Sequence, residues 1–552
     1  MKFNPSTSPS TPSSGPRGSK QIPSIKLGTN VPDEIKDISK KLQKAGHKAY
    51  LVGGCVRDIL IKREPKDWDI TTDAKPEKIQ KLFSTFAGAT ADKPATVYEN
   101  KFGTVGIKTK SENPRLKVIE ITTFRLEGKY TDKRHPNEIK FAKTVEEDLS
   151  RRDFTINAIA LKVIDVVNVQ NVVDVKKKQL QQAERSNKRS DQSNTTSELV
   201  DPFNGKKDIE NKIIRTVGEP KERFNEDALR LMRAVRFATE LDFSIEEKTS
   251  KAIKKEAGLL EIIAKERILD ELEKIIMSDH AKDGVQNLEN LGLLKYIIPE
   301  LREGIDVGQN KHHIYTVWEH NLRALDYTAK NNYSLEVRIA SLLHDVGKPK
   351  TKVGDGPDST FYNHEIVGAK MTVRILDRLH FSKSVAEKII HLVRFHLFYY
   401  NVGEVTEAGV RRFLRRVGPE NVADFIKVRE ADRIGSGVPK AIPYKIRHLL
   451  FMIEKVKRDP ISPKMLTVNG EDVIKILGIE PGPKIGQILS ILLDEVIEEP
   501  KKNTKKNLEF RIQDLGKLSD AELKKLSKAA REKKEEFEFG IEEEIKKKFY
   551  VK

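Results

Sequence analysis

Cysteine is nearly absent from this chain. Cys55 stands alone among 552 residues, which excludes a disulfide framework and a thiolate-built zinc site. Aromatic residues are sparse, at 7%. No apolar run approaches the ~18 residues that would signal a spanning helix, and the mean hydropathy is −0.53. The first 20 residues are rich in Ser and Pro and lack the apolar core of a secretory signal. These absences point to a cytoplasmic protein that does not enter a membrane. Positive charge is abundant: 101 Lys and Arg against 83 Asp and Glu, 101 − 83 = +18, with a pI near 9.4. That surplus fits a polyanionic partner such as nucleic acid, although a solvated surface can carry a similar excess. A hydrophobic fraction of 38% is enough for several cores and excludes a wholly disordered chain. At roughly 150 residues per domain, the length suggests three or four domains.

Along the chain, residues 1–30 read as a disordered tail. Helical spacing runs from Glu34 to Ala45 and stops at Gly46. A short apolar strand, Ala49–Val52, leads into Gly53-Gly54 and a helical segment, Val56–Leu60. Further strands read at Trp68–Ile70, Thr104–Lys108 and Lys117–Thr123. Alternating strands and helices indicate an α+β or α/β head. Residues 165–199 interrupt this as a polar insertion. From about Glu222 onward the pattern is helical, with stretches at Ala228–Thr239, Leu259–Met277 and Val385–Val393. The last fifty residues are rich in Lys and Glu, reading either as a solvated helix or as an RNA-binding arm.

The first group of residues with chemical meaning runs from Leu51 to Thr72. Gly53 and Gly54 sit at a strand-to-helix turn, where glycine lets backbone N–H groups approach a phosphate. Asp67 and Asp69 are spaced i, i+2, which on a strand points both carboxylates to one face and Trp68 to the other. Paired carboxylates repel unless a cation lies between them, so they suit Mg²⁺. Two such ions could activate a 3′-hydroxyl and stabilise a leaving pyrophosphate. Glu120 offers a third carboxylate, and Arg125 on the same segment could reach a triphosphate.

This segment resembles the first motif of the class II tRNA nucleotidyltransferase and bacterial poly(A) polymerase family, within the polymerase-β-like nucleotidyltransferases. Further motifs follow in order: RRDFTINAIA (Arg151–Ala160), DPFNG (Asp201–Gly205), RFNEDALRLMRAVRFA (Arg223–Ala238) and ERILDELEKII (Glu266–Ile276). The resemblance implies that Asp67 and Asp69 are the metal-binding catalytic pair. It also implies that Arg151, Arg152 and Asp153 contact ribose and triphosphate, and it places Arg57 and Arg233 among the nucleotide-binding residues. The implied fold is a mixed-sheet head with helices, residues 31–218, followed by an all-helical remainder. That remainder comprises a base-recognising neck (219–300), a body (301–445) and a tail (446–552), with tRNA along a basic surface.

Asp227 and Arg230 are i, i+3 in a helical pattern and would neighbour each other on one face. Asp accepts hydrogen bonds and Arg donates them. Side by side they match an edge with an exocyclic amine beside a ring acceptor, as in cytosine and adenine. Uracil and guanine would be rejected, because a mispaired buried polar edge is costly. Glu226 is i, i+4 from Arg230 and could hold its guanidinium in plane. The family resemblance gives this motif the same role, selection of CTP and ATP without a nucleic-acid template.

Eight of the 12 histidines fall between His312 and His396. His and Asp on helices suit a divalent ion such as Mn²⁺, Ni²⁺, Mg²⁺ or Fe²⁺. The order of His320, His344-Asp345 and Asp432 resembles the HD phosphohydrolase domain, which implies metal-ligand roles for these four residues. His364 and His391 are candidates for a second metal or for phosphate binding. His312, His313, His380 and His396 read as structural or surface residues.

The leading expectation is addition of CCA to tRNA 3′ ends. The alternatives are a poly(A) polymerase, an enzyme adding only CC or only A, and an HD phosphohydrolase with an RNA-targeting head. The segment Lys101–Thr109 lies closer to the CCA-adding pattern than to the poly(A) branch, and the loop Glu127–Pro136, with Arg134, is intact.

Overall fold

A computed structural model describes residues 24–25, 31–84, 96–99, 103–127, 139–164, 196–310, 314–398, 400–437, 440–457 and 463–551. The N-terminal tail (apart from residues 24–25), nearly all of the Glu127–Pro136 loop with Arg134, His312, His313 and most of the 165–199 insertion lie outside these residues. The chain divides into two compact units. One comprises Met1–Arg302 with Asp377–Phe381, the other Glu303–Leu376 with Ser382–Lys552.

The first unit is built on a mixed sheet. Its strands, in chain order, are β1 (Ser24–Ile25), β2 (Ala49–Val52), β3 (Asp69–Thr72), β4 (Thr96–Glu99), β5 (Thr104–Lys108), β6 (Val118–Thr123), β7 (Arg125–Glu127), β8 (Ile139–Phe141), β9 (Ala160–Ile164) and β10 (Thr196–Val200). Eight of them pair in the order β1-β10-β9-β2-β3-β6-β5-β4, while β7 and β8 form a separate hairpin. Among the described strands of the large sheet, only β3 and β6 run parallel. β6 alternates Val118, Glu120 outward with Ile119, Ile121 inward, the signature of a half-buried strand. β2 is buried along its whole length. Helices pack on this frame, among them Asp33–Lys44, which ends before Gly46 at φ +84°. Val145–Ser150 opens on a reciprocal Thr144–Glu147 cap.

Two helices start or break where periodicity alone gives no warning. The segment expected as one helix from Leu259 to Met277 is a 3₁₀ turn, Ala257–Ile262, followed by a helix, Lys265–Ile276. Ile263 and Ala264 between them are extended. The expected helix from Ala228 begins at Arg230 and runs to Leu241. Here the preceding helix Pro220–Glu226 ends and Asp227 turns extended, at φ −136° and ψ 107°. Its carboxylate accepts the Leu229 N–H at 3.1 Å, and a side chain bonding its own backbone competes with helix continuation.

The second unit is helical. Helices Val317–Lys330, Leu335–Leu343, His364–Arg378, Lys383–Phe395 and Val422–Gly435 carry or abut the His and Asp residues of interest. The tail has its own small core, in which Val473, Ile488, Leu492, Ile512, Leu515 and Leu523 are buried together. No described helix is long and apolar enough to cross a membrane.

Candidate active sites

In the first unit, β2 ends and helix Gly54–Leu60 begins at Gly53, whose φ is +78°. A Cβ there would meet Arg152 Nη1 at 2.9 Å and Asp69 Oδ2 at 3.7 Å. Glycine is therefore needed both for backbone conformation and for the close approach of two candidate residues. Asp69 opens β3 and is the register partner of Glu120 across the parallel pair. Asp67 is exposed and lies just ahead of the strand, outside the sheet pairing expected for Trp68–Ile70. The alternation still holds, because Trp68 is buried at 8% exposure while Asp67 faces solvent. Burial, reinforced by Glu120 and Asp67 and opposed by Arg152, pushes the Asp69 carboxyl up to about 6. A buried carboxylate with two others beside it forms a donor set suited to a divalent cation.

Asp67 and Asp69 border a cleft of about 460 Å³, and Glu120 is not among the residues of its wall. The same cleft holds three arginines gathered around Phe237. The guanidinium carbons of Arg57, Arg233 and Arg236 lie 5.3, 5.2 and 4.2 Å from that ring's centroid. Arg57 donates to Asn157 Oδ1 at 2.9 Å and to Asp58 Oδ1 at 2.7 Å. Asp153 pairs with Arg233 at 2.6 Å and accepts the Phe154 N–H. Burial alone would raise the Asp153 carboxyl, but Arg233 and Arg230 outweigh it and hold it down at about 2. Arg152 lines the cleft and approaches Asp148 at 3.7 Å. Arg151 bonds the same buried carboxylate at 3.0 Å. Burial favours the neutral form of Asp148, and Arg151 and Arg152 overcome it, so its net shift is downward.

Not every expected nucleotide contact faces this cleft. Arg151, Arg125, Glu226, Asp227 and Arg230 are absent from its wall. Arg125 contributes a backbone N–H to Asp148. The expected pairing of Asp227 and Arg230 on one helical face is not found, because Asp227 sits in the break between two helices. Its Oδ2 instead pairs with Arg267 at 3.0 Å. Arg230 pairs with Glu226, as expected, and also donates to the backbone carbonyls of Arg223 and Arg151. One turn along the same helix, Arg233 enters the cleft, so Arg230 and the cleft wall share one helix. Sequence reasoning missed Asp148, Asn157, Arg236, Phe237 and Arg267. Arg236 and Phe237 were discoverable, because they lie i+3 and i+4 from Arg233. The DPFNG motif is architectural: Asp201 accepts the N–H groups of Gly205 and Lys206 at the start of helix Gly205–Glu210.

The second unit gathers a buried His/Asp cluster. His320 Nε2 and His344 Nε2 are 2.9 Å apart. Asp345 Oδ2 lies 3.1 and 3.3 Å from them, and Asp432 Oδ1 lies 3.4 and 3.7 Å away. Asp345 Oδ1 faces His364 and His396 at 3.3 and 3.7 Å. Two groups that could each hold a metal ion thus share Asp345. His396, expected as structural, belongs to the second group. His391 does not, because its Nε2 bonds the Val417 carbonyl at 2.6 Å. His380 lies at the surface, paired with Glu266.

The donor chemistry fits cations. His344, His364 and His396 each bond Nδ1 to the carbonyl three residues earlier, at 2.8, 2.7 and 2.7 Å. A carbonyl only accepts, so Nδ1 carries a hydrogen and Nε2 is the atom turned into the cluster. Burial disfavours the charged form of His344, but Asp345 and Asp432 outweigh it and push the imidazole up to about 10, so a cation bound there would take the place of its Nε2 proton. Burial holds the His396 imidazole down at about 3, so it is neutral. Burial works against ionised Asp345 and Asp432. It is outweighed by His344 and Lys348 in the first and by Arg429 and His320 in the second, leaving both well below the usual carboxylate range. Helix His364–Arg378 packs closely against the backbone just after His344-Asp345. A Cβ on Gly347 would meet the His364 carbonyl at 2.3 Å.

Three family models match the chain. Residues 49–182 match the family described as the poly(A) polymerase head domain. Residues 242–305 match a probable RNA and SrmB binding site of polymerase A, and residues 317–434 match the HD domain. The A-adding tRNA nucleotidyltransferase of Deinococcus radiodurans is 34% identical over 364 residues, covering 63% of this chain and 75% of its own. The CCA-adding enzyme of Streptococcus agalactiae is 30% identical over 468 residues, covering 84% and 93%. The crystal structure of the Bacillus stearothermophilus CCA-adding enzyme in complex with CTP aligns with a TM-score of 0.51 at 28% identity, covering 87% of this chain and 96% of that one. The chain belongs to the tRNA nucleotidyltransferase family of CCA-adding enzymes and carries an HD domain after its catalytic head.

Proposed function

We propose that this protein adds CCA to the 3′ end of tRNA from CTP and ATP, without a nucleic-acid template, releasing pyrophosphate at each step. The observation that carries this reading is that Asp67 and Asp69 share one cleft with Arg57, Arg152 and Arg233, while Glu120 stands in register beside Asp69 on the neighbouring strand. Asp67, Asp69 and Glu120 would hold Mg²⁺, which supplies charge neutralisation for the attacking 3′-oxygen and the departing pyrophosphate. Arg57, Arg152 and Arg233 orient the triphosphate, with Asp153 fixing Arg233. The turn at Gly53-Gly54 brings backbone N–H groups to the phosphates. Asp227 and Arg230, outside the described cleft wall, read the base as the family resemblance implies, with Arg267 and Glu226 respectively holding them in place. The layout is a head, a neck, an HD body and a tail, with tRNA contacts along the basic surface.

The test uses tRNA lacking its last three nucleotides and tRNA ending in CC, with Mg²⁺ and each nucleotide singly, then CTP with ATP. Ordered CCA addition is expected. Addition of A only to the CC-ended substrate would replace this reading with an A-adding one, and long A tails would replace it with a poly(A) polymerase.

The shared-carboxylate cluster supports a second activity, hydrolysis of a phosphoester. His320, His344, Asp345 and Asp432 would hold one divalent ion such as Mn²⁺, Ni²⁺ or Mg²⁺, with His364 and His396 available for a second. His344→Ala is expected to abolish metal-dependent hydrolysis of a 2′,3′-cyclic phosphate and to leave nucleotide addition intact. Loss of both activities together would overturn the separation of the two sites.

A further inference from the structure

Three cavities of the second unit open in series from the His/Asp cluster. The first, about 630 Å³, lies over Asp345, His364 and His396, with Lys348, Arg429 and Arg433 in its wall. The second, about 380 Å³, shares Arg429 and Arg433 with the first and is bounded by Phe398, Tyr400, Tyr444 and Lys445. The third, about 360 Å³, shares Phe398 and Tyr400 with the second and adds Arg412, Phe413 and Arg416. Cations and rings therefore alternate along one path. Neither the second nor the third cavity has a carboxylate in its wall.

The rings are held in place. Phe398 packs on Phe413 and Phe425 with centroids 5.1 Å apart in each case, and the Tyr400 hydroxyl bonds His448 at 2.6 Å. Tyr444 is 38% exposed and presents a face for stacking. An arginine-lined path with aromatic platforms at intervals is the chemistry of a single-stranded nucleic-acid groove. A mononucleotide seated at the His/Asp cluster would leave Arg412 and Arg416 without a phosphate.

We propose that the His/Asp centre receives the end of a single-stranded RNA. This rests on the phosphohydrolase reading of the cluster and names its substrate class. The terminal phosphate lies over His364, His396 and Lys348, upstream phosphates meet Arg429 with Arg433 and then Arg412 with Arg416, and bases stack against Tyr444 and Phe398. In hydrolysis a water oxygen bonds to phosphorus, the bond from phosphorus to the ribose oxygen breaks, and that oxygen takes the proton, releasing inorganic phosphate.

The test uses the full-length chain and a 5′-fluorescent hexaribonucleotide ending in a 3′-phosphate. Binding is read by anisotropy in chelator, where no cleavage occurs. A 4-thiouridine near the 3′ end maps the path by photocrosslinking. Crosslinks to peptides within residues 397–450 are expected. Arg412→Glu with Arg416→Glu is expected to weaken binding about tenfold or more and to reduce the salt slope by about 2. It should leave CCA addition and hydrolysis of a mononucleoside 3′-phosphate within about twofold of wild type. Tyr444→Ala, a single exposed side chain, gives the same direction without a folding risk. Crosslinks confined to other regions, or hexamer binding indifferent to both variants, would overturn the groove. Failure of the wild type with Mn²⁺ to hydrolyse either the hexamer or the mononucleotide would instead sink the phosphohydrolase reading. Equal hydrolysis of the two, unaffected by either variant, would leave that reading standing and remove the RNA.

Discussion

Gly53→Ala probes the point where backbone geometry and site chemistry meet. At φ +78° and ψ −135° the residue occupies a region that side chains other than hydrogen rarely enter. Forcing an alanine there costs about 1–3 kcal/mol. The new Cβ would also lie 2.9 Å from Arg152 Nη1 and 3.7 Å from Asp69 Oδ2, so the guanidinium must move off the carboxylate that it opposes across the turn. Thermal unfolding should fall by about 2–12 °C, at roughly 2–4 °C per kcal/mol for a unit of this size. Loss of the Arg152 position should lower kcat/KM for CTP and ATP by about 10- to 100-fold, which is about 1.4–2.7 kcal/mol of transition-state stabilisation. Gly54→Ala is the control. Its φ is ordinary and its Cβ would rest 3.6 Å from Arg57 Nη2, a normal contact. It should leave the melting temperature within about 1 °C of wild type and act only on KM, through the phosphate that its backbone N–H faces. Calorimetry and single-nucleotide addition measured on the same preparations decide the matter. Gly53→Ala with unchanged melting and unchanged kcat/KM would refute the reasoning.

Four further outcomes are expected. Asp69→Asn should reduce nucleotide addition more than about 10³-fold while leaving tRNA binding in a gel-shift assay intact; weakened tRNA binding alone would contradict it. The Asp153 carboxyl falls from 3.8 unfolded to about 2 folded, so it contributes on the order of 2 kcal/mol above pH 4, lost as pH falls from about 4 to 2. The denaturation free-energy gap between wild type and Asp153→Asn should follow that window, and a gap independent of pH would argue against the ion pair. Arg267→Ala removes a charge-assisted bond worth about 1.5–3 kcal/mol, so discrimination against UTP and GTP should weaken about tenfold or more, with partial rescue by Arg267→Lys; unchanged selectivity would show that Asp227 needs no support. His396→Ala should lower Mn²⁺ affinity at one of two sites by more than about tenfold in equilibrium dialysis, and unaltered binding would remove the second metal group.

Much of the head was legible because its chemistry is local. The strand Ala49–Val52 and its exit through Gly53-Gly54 were read correctly, and the i, i+2 alternation around Trp68 survives even though Asp67 precedes the paired strand. Periodicity failed at Asp227 because a residue with helical neighbours can still divert its carboxylate to its own backbone. The histidines were misassigned as a pair, with His391 placed in the cluster and His396 outside it. Both lie on or at the end of helix Lys383–Phe395, five residues apart, and spacing cannot tell which faces Asp345.

The sequence by itself determined the identity of the acids, the order of the motifs and the helical nature of the second unit, since these follow from residue type and short-range spacing. Only tertiary structure decided that Glu120 stands beside Asp69, that Arg233 is neutralised by Asp153, that Arg267 meets Asp227 and that Asp345 is shared between two groups of histidines. Each of those pairings joins residues that are distant in the chain or face one another only once helices pack. The forces that select them are burial and charge compensation, which depend on what surrounds a residue rather than on what precedes it.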